Sequence, residues 1–270
     1  MVLLNQLWAF LRRDYLLASS SRLAFVWQIM SVMLAAPTLY YLGRLIQPAA
    51  SPHLAPFGGD YFGFVILGVG LFGFLSAGMG AAAVAMRQEQ VIGTMETIMA
   101  TPLSPLRLVL GASLWQTIVA GIQTLLYLLL GGLVFGIDFS RANLVGIAVV
   151  SLLAIATFAA LGVLAAAFVL LFKHTDPITS AIAGLSALVA GVFYPTSVLP
   201  PLLQSLAQFV PLTYALRGLR LAALEGYSLS ALWQEVLMLV LFAAALLPLS
   251  ALALRWAVRY AKGTGTLGGY

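Results

Sequence analysis

Long apolar runs alternate with short polar segments along most of the chain. Six runs contain no Asp, Glu, Lys or Arg, and they cover residues 23–43, 61–86, 108–137, 142–172, 177–216 and 236–254. A helix needs about 20 mostly apolar residues to cross a bilayer, and its backbone polar groups must be satisfied within the helix. Each run is therefore a candidate for a membrane-spanning helix.

The run at 177–216 is long enough for two spans, but its prolines favour one. A helix can extend from Pro177 to Tyr194, and beyond it come Pro195, Pro200, Pro201 and Pro211. A proline inside a helix removes a hydrogen bond and clashes with the preceding turn, so no uninterrupted piece after Tyr194 reaches spanning length. The sequence predicts one span at 178–196, followed by a broken pair of short re-entrant helices on the outer side.

The first 22 residues predict an amphipathic helix in the membrane interface. Apolar residues recur there at helical spacing, with polar residues on the other side: Leu4, Leu7, Trp8, Leu11 and Tyr15 against Asn5, Gln6, Arg12 and Arg13. This pattern suits a helix in the headgroup layer, and a frayed cytosolic tail is the alternative. We therefore expect an interfacial helix at 1–22, an all-α domain of six transmembrane helices at 23–260 and a flexible cytosolic tail at 261–270.

The distribution of Lys and Arg predicts that both termini are cytosolic. With six spans and an inside N-terminus, nine of these residues lie on the cytosolic side and four on the outer side, as the positive-inside rule favours. Seven spans would give eight against five, so the prolines decide the count. The segment between the second and third spans is then cytosolic.

Composition supports a membrane protein and excludes several kinds of site. The chain is 62% hydrophobic and 8% charged, with a mean hydropathy of +1.05, whereas a soluble protein carries about a quarter charged residues. It has no cysteine, and its two histidines are isolated in sequence, so we expect no disulfide and no metal site. No basic stripe with interleaved aromatics indicates nucleic-acid binding. No span carries a central carboxylate of the kind that ion-coupled carriers use, and we expect no catalytic centre.

The connector between the second and third spans, RQEQVIGTMETIMATPLSPLRLVLG at residues 87–111, carries clear helix boundaries. Gly93 can end the helix that continues from the second span, and the following threonine can cap a short helix from Met95 to Ala100. Ser104 can then cap the third span, with Pro105 at its first helical position. The pattern predicts a two-turn helix across the cytosolic ends of two spans, and an ordinary loop is the alternative.

Two stretches carry a resemblance to a known family. They are EQVIGTMETIMATPLSPLRLVLG in the connector and GVFYPTSVLPPLLQSLAQFVPLTYALRGLR at residues 191–220. The first resembles the cytosolic signature of ABC type-2 permeases, the membrane subunits of ABC exporters. The second resembles the broken outer hairpin between spans five and six of the same family. With the N-terminal helix and six predicted spans, the resemblance covers nearly the whole chain.

The resemblance implies the membrane half of an ATP-driven exporter. In that family the short helix between spans two and three is a coupling helix, which sits in a groove of the ATPase subunit. By position, the coupling contact would consist of Glu89, Gly93, Thr94, Met95, Glu96, Thr97, Ile98 and Met99. The chain has no G-x-x-x-x-G-K-[ST] loop to hold phosphates. ATP and Mg²⁺ would therefore be bound by the partner, and this subunit is not expected to be an enzyme or to bind a cofactor.

The resemblance also implies an assembly. Two permease copies, expected to be a homodimer, would bind two copies of a cytosolic ATPase in the cytoplasmic membrane of a bacterium or archaeon. Small residues at spacings of three and four in the fifth span are candidates for the dimer seam, since this helix takes part in it in the family: Ala183, Gly184, Ala187 and Gly191. Such residues let helices approach closely, and packing within one subunit is the alternative.

Aromatic residues near the expected outer ends of the spans indicate where a substrate could leave. The candidates are Tyr40, Tyr41, Phe62, Phe193 and Tyr194, and a belt that only contacts membrane lipids is the alternative. We expect export of a lipophilic or amphipathic drug or lipid. Export of a lipid-linked polysaccharide is the alternative, and an ATP-independent channel or scaffold is a second one.

Two outer arginines need a separate interpretation. Arg217 and Arg220 lie close to Glu225 in the sequence, outside the predicted spans. We interpret them as anchors to lipid headgroups, with contact to an anionic substrate as the alternative.

Overall fold

The computed structural model describes residues 2–20, 22–93, 104–172 and 176–263, and within these ranges it is all-helical, with no strand. The helices are α1 Val2–Ser20, α2 Arg22–Leu54, α3 Tyr61–Ile92, α4 Pro105–Leu133, α5 Leu144–Phe172, α6 Asp176–Ala190, α7 Pro201–Ala207, α8 Pro211–Leu224 and α9 Trp233–Gly263. Single 3₁₀ turns lie at Ala55–Phe57 and Thr196–Val198. The predicted all-α class is confirmed. Helix α9 continues to Gly263, three residues into the predicted tail, and the rest of that tail lies outside the described residues.

Five helices in the described ranges are long and apolar enough to cross a membrane: α2, α3, α4, α5 and α9. They coincide with five of the six apolar runs. Helix α6 occupies the remaining run but has 15 residues. At ~1.5 Å per residue this is about 22 Å, which is less than the ~30 Å of hydrocarbon in a bilayer. The count of six spans therefore stays a prediction.

Helix α6 ends at Ala190, earlier than the predicted end of its span at residue 196. Gly191 has a φ of +76°, a left-handed conformation that glycine adopts without steric cost. A Cβ at Gly191 would lie 2.5 Å from the carbonyl oxygen of Tyr194. The turn is closed by a hydrogen bond from the Val192 amide to the Ala187 carbonyl at 3.1 Å. The sequence predicts that the helix ends near Pro195, whereas it ends before Gly191, four residues earlier in the chain.

Helix α2 is longer than the apolar run at 23–43, because it continues through Pro48 and Pro52 to Leu54. Prolines normally break helices, so the sequence alone does not predict this extension. The side chain of Gln47 fastens it to the start of α3. Its amide nitrogen donates to the Gly59 carbonyl, and its oxygen accepts from the Tyr61 amide at 2.8 Å.

Helix α3 is the central helix of the bundle. It packs extensively against α4 and α5, and it also contacts α2, α6 and α8. Where α3 crosses α5, a Cβ on Gly162 would strike the carbonyl oxygen of Gly78. Such small residues let helices pack closely inside a membrane, where lipid removes the hydrophobic drive for association. In contrast, a Cβ on Gly80 would meet no atom of the described residues within 4 Å.

The buried core has a different character at the two ends of the bundle. At one end, which we call the connector end, the last turns of α3, α5 and α9 meet the start of α4. This alanine-rich cluster includes Ala82, Val109, Ala166 and Ala257. At the other end, which we call the hairpin end, α8 packs with the first halves of α3 and α5. The cluster there is bulkier and includes Leu67, Phe158, Leu212 and Leu216.

Candidate functional site

The connector between α3 and α4 is bounded by the helix ends that the sequence predicts. Gly93 follows α3 with a φ of +78°, and its amide donates to the Gln90 carbonyl at 3.2 Å. The hydroxyl of Ser104 accepts from the Arg107 amide at 3.4 Å, and Pro105 occupies the first position of α4. These boundary predictions are confirmed. Six of the coupling candidates lie outside the described residues: Thr94, Met95, Glu96, Thr97, Ile98 and Met99.

Both flanks of the connector are fastened to the bundle. Gln90 is buried, and its side-chain amide donates to the Leu170 carbonyl at the end of α5, at 3.5 Å. Glu89, the remaining coupling candidate, lies partly buried in the same last turn of α3. On the other flank, Leu108 and Val109 of α4 are buried in the alanine-rich cluster. A force on the connector would therefore reach α3, α4 and α5 together.

Helix α1 contacts the same end of the bundle through α4. The ring of Phe10 lies against Gly111, where a Cβ would come within 2.5 Å of a ring carbon. Trp8 is 68% exposed, as a residue that anchors a helix in the headgroup layer would be. The helix itself is confirmed, and its position in the membrane interface stays a prediction.

The small residues of α6 do not share one open face. Ala183 and Ala187 are buried in the protein's own core, and Gly191 ends the helix. Gly184 differs, because a Cβ built there would meet no described atom within 4 Å. It lies beside the exposed side chain of Leu185. The dimer seam stays a prediction, and of the four candidates Gly184 is the one that a second copy could reach.

Three of the five exit candidates lie together at the hairpin end. The ring centroid of Tyr40 is 5.4 Å from that of Tyr41 and 5.3 Å from that of Phe62. Phe135, which the sequence analysis missed, lies 4.6 Å from Tyr40 and 5.2 Å from Phe62. Its position at the outer end of the 108–137 run is the signal that could have included it. We call these four residues the aromatic cluster, and its role as an exit stays a prediction.

Phe193 and Tyr194 lie in the turn that follows α6. The hydroxyl of Tyr194 donates to the Leu188 carbonyl at 2.7 Å, and Phe193 is exposed. Among the described residues, no ring contact joins either of them to the aromatic cluster. The structure therefore divides the five exit candidates between two places.

Arg220 on α8 lies inside the protein, where the sequence did not predict it. It is 3% exposed, and its guanidinium donates to the carbonyls of Phe64 at 3.0 Å, Gly191 at 3.1 Å and Val192 at 2.8 Å. The same group lies over the ring of Phe64, 3.3 Å from its centroid. The interpretation of Arg220 as a headgroup anchor is wrong, because the side chain fastens α8 to α3 and to the end of α6.

Two sequence features are consistent with this position. Arg220 continues the row of Leu212 and Leu216 at spacings of four, and such residues share one helix face. Gly68 on α3 leaves room for the contact, since a Cβ there would strike the Val192 carbonyl and lie 2.7 Å from an Nη atom of Arg220. The four-residue spacing is the signal that could have placed Arg220 inside the protein.

Arg217 pairs with the start of α9. Its Nε lies 3.1 Å from an Oε atom of Glu235, which is buried, whereas the Arg217 side chain is 58% exposed. Arg217 and Arg220 both line a cavity of about 310 Å³ at the hairpin end, together with Tyr214 and Gln204. Within the described ranges, no group of three or more His, Cys, Asp or Glu could hold a metal ion.

The chain is similar to a known family of membrane proteins. The family model described as ABC-2 type transporter matches residues 5–224. The matched part runs from α1 to the last residue of α8, and it includes the connector and the hairpin of α7 and α8. No curated protein matches the chain.

Proposed function

The chain belongs to the ABC-2 type transporter family, and we propose that it is the permease subunit of an ATP-driven exporter for a lipophilic or amphipathic drug or lipid. The family match makes it a multi-pass membrane permease of the ABC-2 type. The observation that carries the rest of the proposal is the connector between α3 and α4, whose ends are fixed by Gly93 and Ser104.

The connector supports ATP coupling because it could transmit the motion of a partner to the spans. The Gln90 side chain donates a hydrogen bond to the Leu170 carbonyl at the end of α5. Residues of both α3 and α4 are buried in the alanine-rich cluster. In the proposed mechanism, two copies of a separate cytosolic ATPase bind ATP and Mg²⁺ and close on each other. Their closure pushes the connector, and the push tilts α3 together with α2, which packs against it. The permease itself has no phosphate-binding loop.

The proposed assembly is a permease homodimer in the cytoplasmic membrane of a bacterium or archaeon. Both termini and the connector lie in the cytosol, as the nine cytosolic Lys and Arg against four outer ones favour. The seam between the copies includes Gly184, which is open on α6.

The aromatic cluster supports an amphipathic substrate. Its exposed member, Tyr41, offers a flat apolar face with a hydroxyl at its edge, and such a surface suits a molecule with apolar and polar parts. A lipid-linked polysaccharide is the second candidate, since sugar rings could also stack on the cluster. A channel or scaffold that works without ATP is the third candidate, and the connector argues against it.

The test is ATP hydrolysis by the purified complex in proteoliposomes, with Glu96→Ala and Met95→Pro in the connector. Neither residue lies in a span, so both variants are expected to reach the membrane and fold as the wild type does. We expect ATPase activity that depends on the permease to fall about tenfold, which corresponds to about 1.4 kcal/mol in the activation free energy.

Glu225→Ala, beyond the end of α8, is the matched control and is expected to leave the activity unchanged. If no ATPase co-purifies with the wild type, or if the connector variants stimulate hydrolysis normally, the coupling proposal is wrong. Connector variants that fail to reach the membrane would show that the segment serves folding instead.

A further inference from the structure

A second cavity lies inside the bundle at the hairpin end, and it shares no lining residue with the cavity of Arg220. Its volume is about 360 Å³. Helices α3, α4, α5 and α8 line it, together with Phe139 and Ala142 of the α4–α5 loop. Cavities of roughly 300–1,000 Å³ are large enough to hold small molecules.

The wall of this cavity is almost entirely apolar. Two side chains in it carry a hydroxyl, Thr124 and Ser151. The Thr124 hydroxyl donates to the Ala120 carbonyl at 2.8 Å and also lies 3.2 Å from the Gly70 carbonyl of α3, so it is satisfied within the protein. No described residue forms a hydrogen bond with the Ser151 side chain. Water needs two to four polar partners in a buried site, so one free hydroxyl does not make this a water site, and the walls suit a hydrocarbon.

The cavity opens sideways between α4 and α5. Both helices pack extensively on α3 but hardly on each other. Leu125 of α4 and Leu144 of α5 line the cavity and are also 61% and 75% exposed, so they form its rim. Because both helices are long and apolar enough to cross a bilayer, lipid hydrocarbon is the medium that reaches this opening.

We propose that this cavity binds one acyl chain of a membrane phospholipid from the leaflet at the hairpin end. The chain enters between Leu125 and Leu144, and its end lies against Leu67 and Leu71 of α3, which form the deep wall. The bound chain fills the space where α4 and α5 make few contacts and so holds the two helices in register. The site is separate from the proposed transport function and does not depend on the transported compound.

The test uses a phospholipid with a diazirine at the end of one acyl chain, in vesicles that contain the purified protein. After illumination, the labelled residues are mapped by mass spectrometry. We expect label on Leu67, Leu71 or Phe74 of α3, which line the cavity. Lipids that only surround the protein would instead label outward-facing residues such as Leu129 and Leu152.

Two variants that fill the cavity, Ser151→Phe and Gly121→Leu, provide the second measurement. Each should lower the α3 label by about fivefold or more, because a filled core has no room for an extra group. Leu152→Phe is the matched control, since residue 152 adjoins residue 151 but is 67% exposed. It should leave the label unchanged. Wild-type label confined to outward-facing residues, or α3 label that persists in the filling variants, would overturn the proposal. If a filling variant does not fold, the residues labelled in the wild-type protein still test the proposal.

Discussion

Arg220 is a guanidinium inside an apolar protein, and its surroundings explain why it is stable there. Burying an unpaired charge is very costly. Here three N–H groups of one side chain each reach a different backbone carbonyl, at 2.8 to 3.1 Å. Two of these carbonyls belong to Gly191 and Val192 in the buried turn after α6, and a buried carbonyl outside a helix needs a hydrogen-bond partner. The guanidinium therefore provides donors for the two carbonyls of the turn, and these carbonyls provide acceptors for the buried guanidinium.

Replacing Arg220 by lysine should destabilise the protein although it keeps the charge. A lysine ammonium lacks the planar fork that points three donors in fixed directions. With at least one carbonyl left unsatisfied, we expect a loss of about 2–4 kcal/mol in the free energy of unfolding. Thermal unfolding in detergent measures this. Arg141→Lys, at an exposed arginine of the α4–α5 loop, is the matched control. Equal melting temperatures for the two variants would show that the three hydrogen bonds contribute nothing.

The ends of the helices show which elements a sequence can predict. Gly93, Ser104 and Pro105 act on the helix ends that they adjoin, so their roles follow from local rules. The end of α6 and the extension of α2 do not follow in this way. Gly191 stops α6 through a turn that Arg220 completes from a distant helix, and α2 continues past Pro48 with Gln47 fastened to the start of α3. Such tertiary contacts override local propensity.

At the crossing of α3 and α5, we predict that alanine substitution changes stability in opposite directions at two glycines. Gly162→Ala would place a methyl group against the Gly78 carbonyl, and we expect a loss of about 1–3 kcal/mol because the helices must move apart. Gly80→Ala fills open space, and alanine is the better helix former by up to about 1 kcal/mol. Thermal unfolding of both variants should show destabilisation of the first and no change or a gain in the second. A stable Gly162→Ala protein would contradict the close crossing.

At the scale of the whole molecule, the apolar runs predict the five described helices that are long and apolar enough to cross a membrane, because length and hydropathy define them. The site is predicted only in part. The boundaries of the connector are local, whereas the burial of Arg220 and the membership of Phe135 in the aromatic cluster depend on how helices distant in sequence pack. The small residues of α6 are a further case. Their spacing of three and four residues does not reveal that Ala183 and Ala187 face the protein's own core.

The homodimer proposal predicts a change of mass. Gly184→Trp puts a large side chain on the open position of α6, which the proposal places at the seam. We expect the purified protein in detergent to shift from two copies to one, as measured by light scattering with gel filtration. Leu252→Trp changes an exposed residue of α9 and should leave the mass unchanged. A Gly184→Trp protein that is still a dimer would remove this residue from the seam.

The measurement that tests the account most directly is the side of the membrane on which the connector lies. The chain contains no cysteine, so Thr94→Cys introduces a single thiol without further changes. A membrane-impermeant maleimide is applied to intact cells and to inside-out vesicles, with Ser140→Cys in the α4–α5 loop as the control for the opposite side. The account predicts labelling of residue 94 in inside-out vesicles alone, and of residue 140 in intact cells. Labelling of residue 94 in intact cells would contradict it, since a cytosolic ATPase could not then reach the connector.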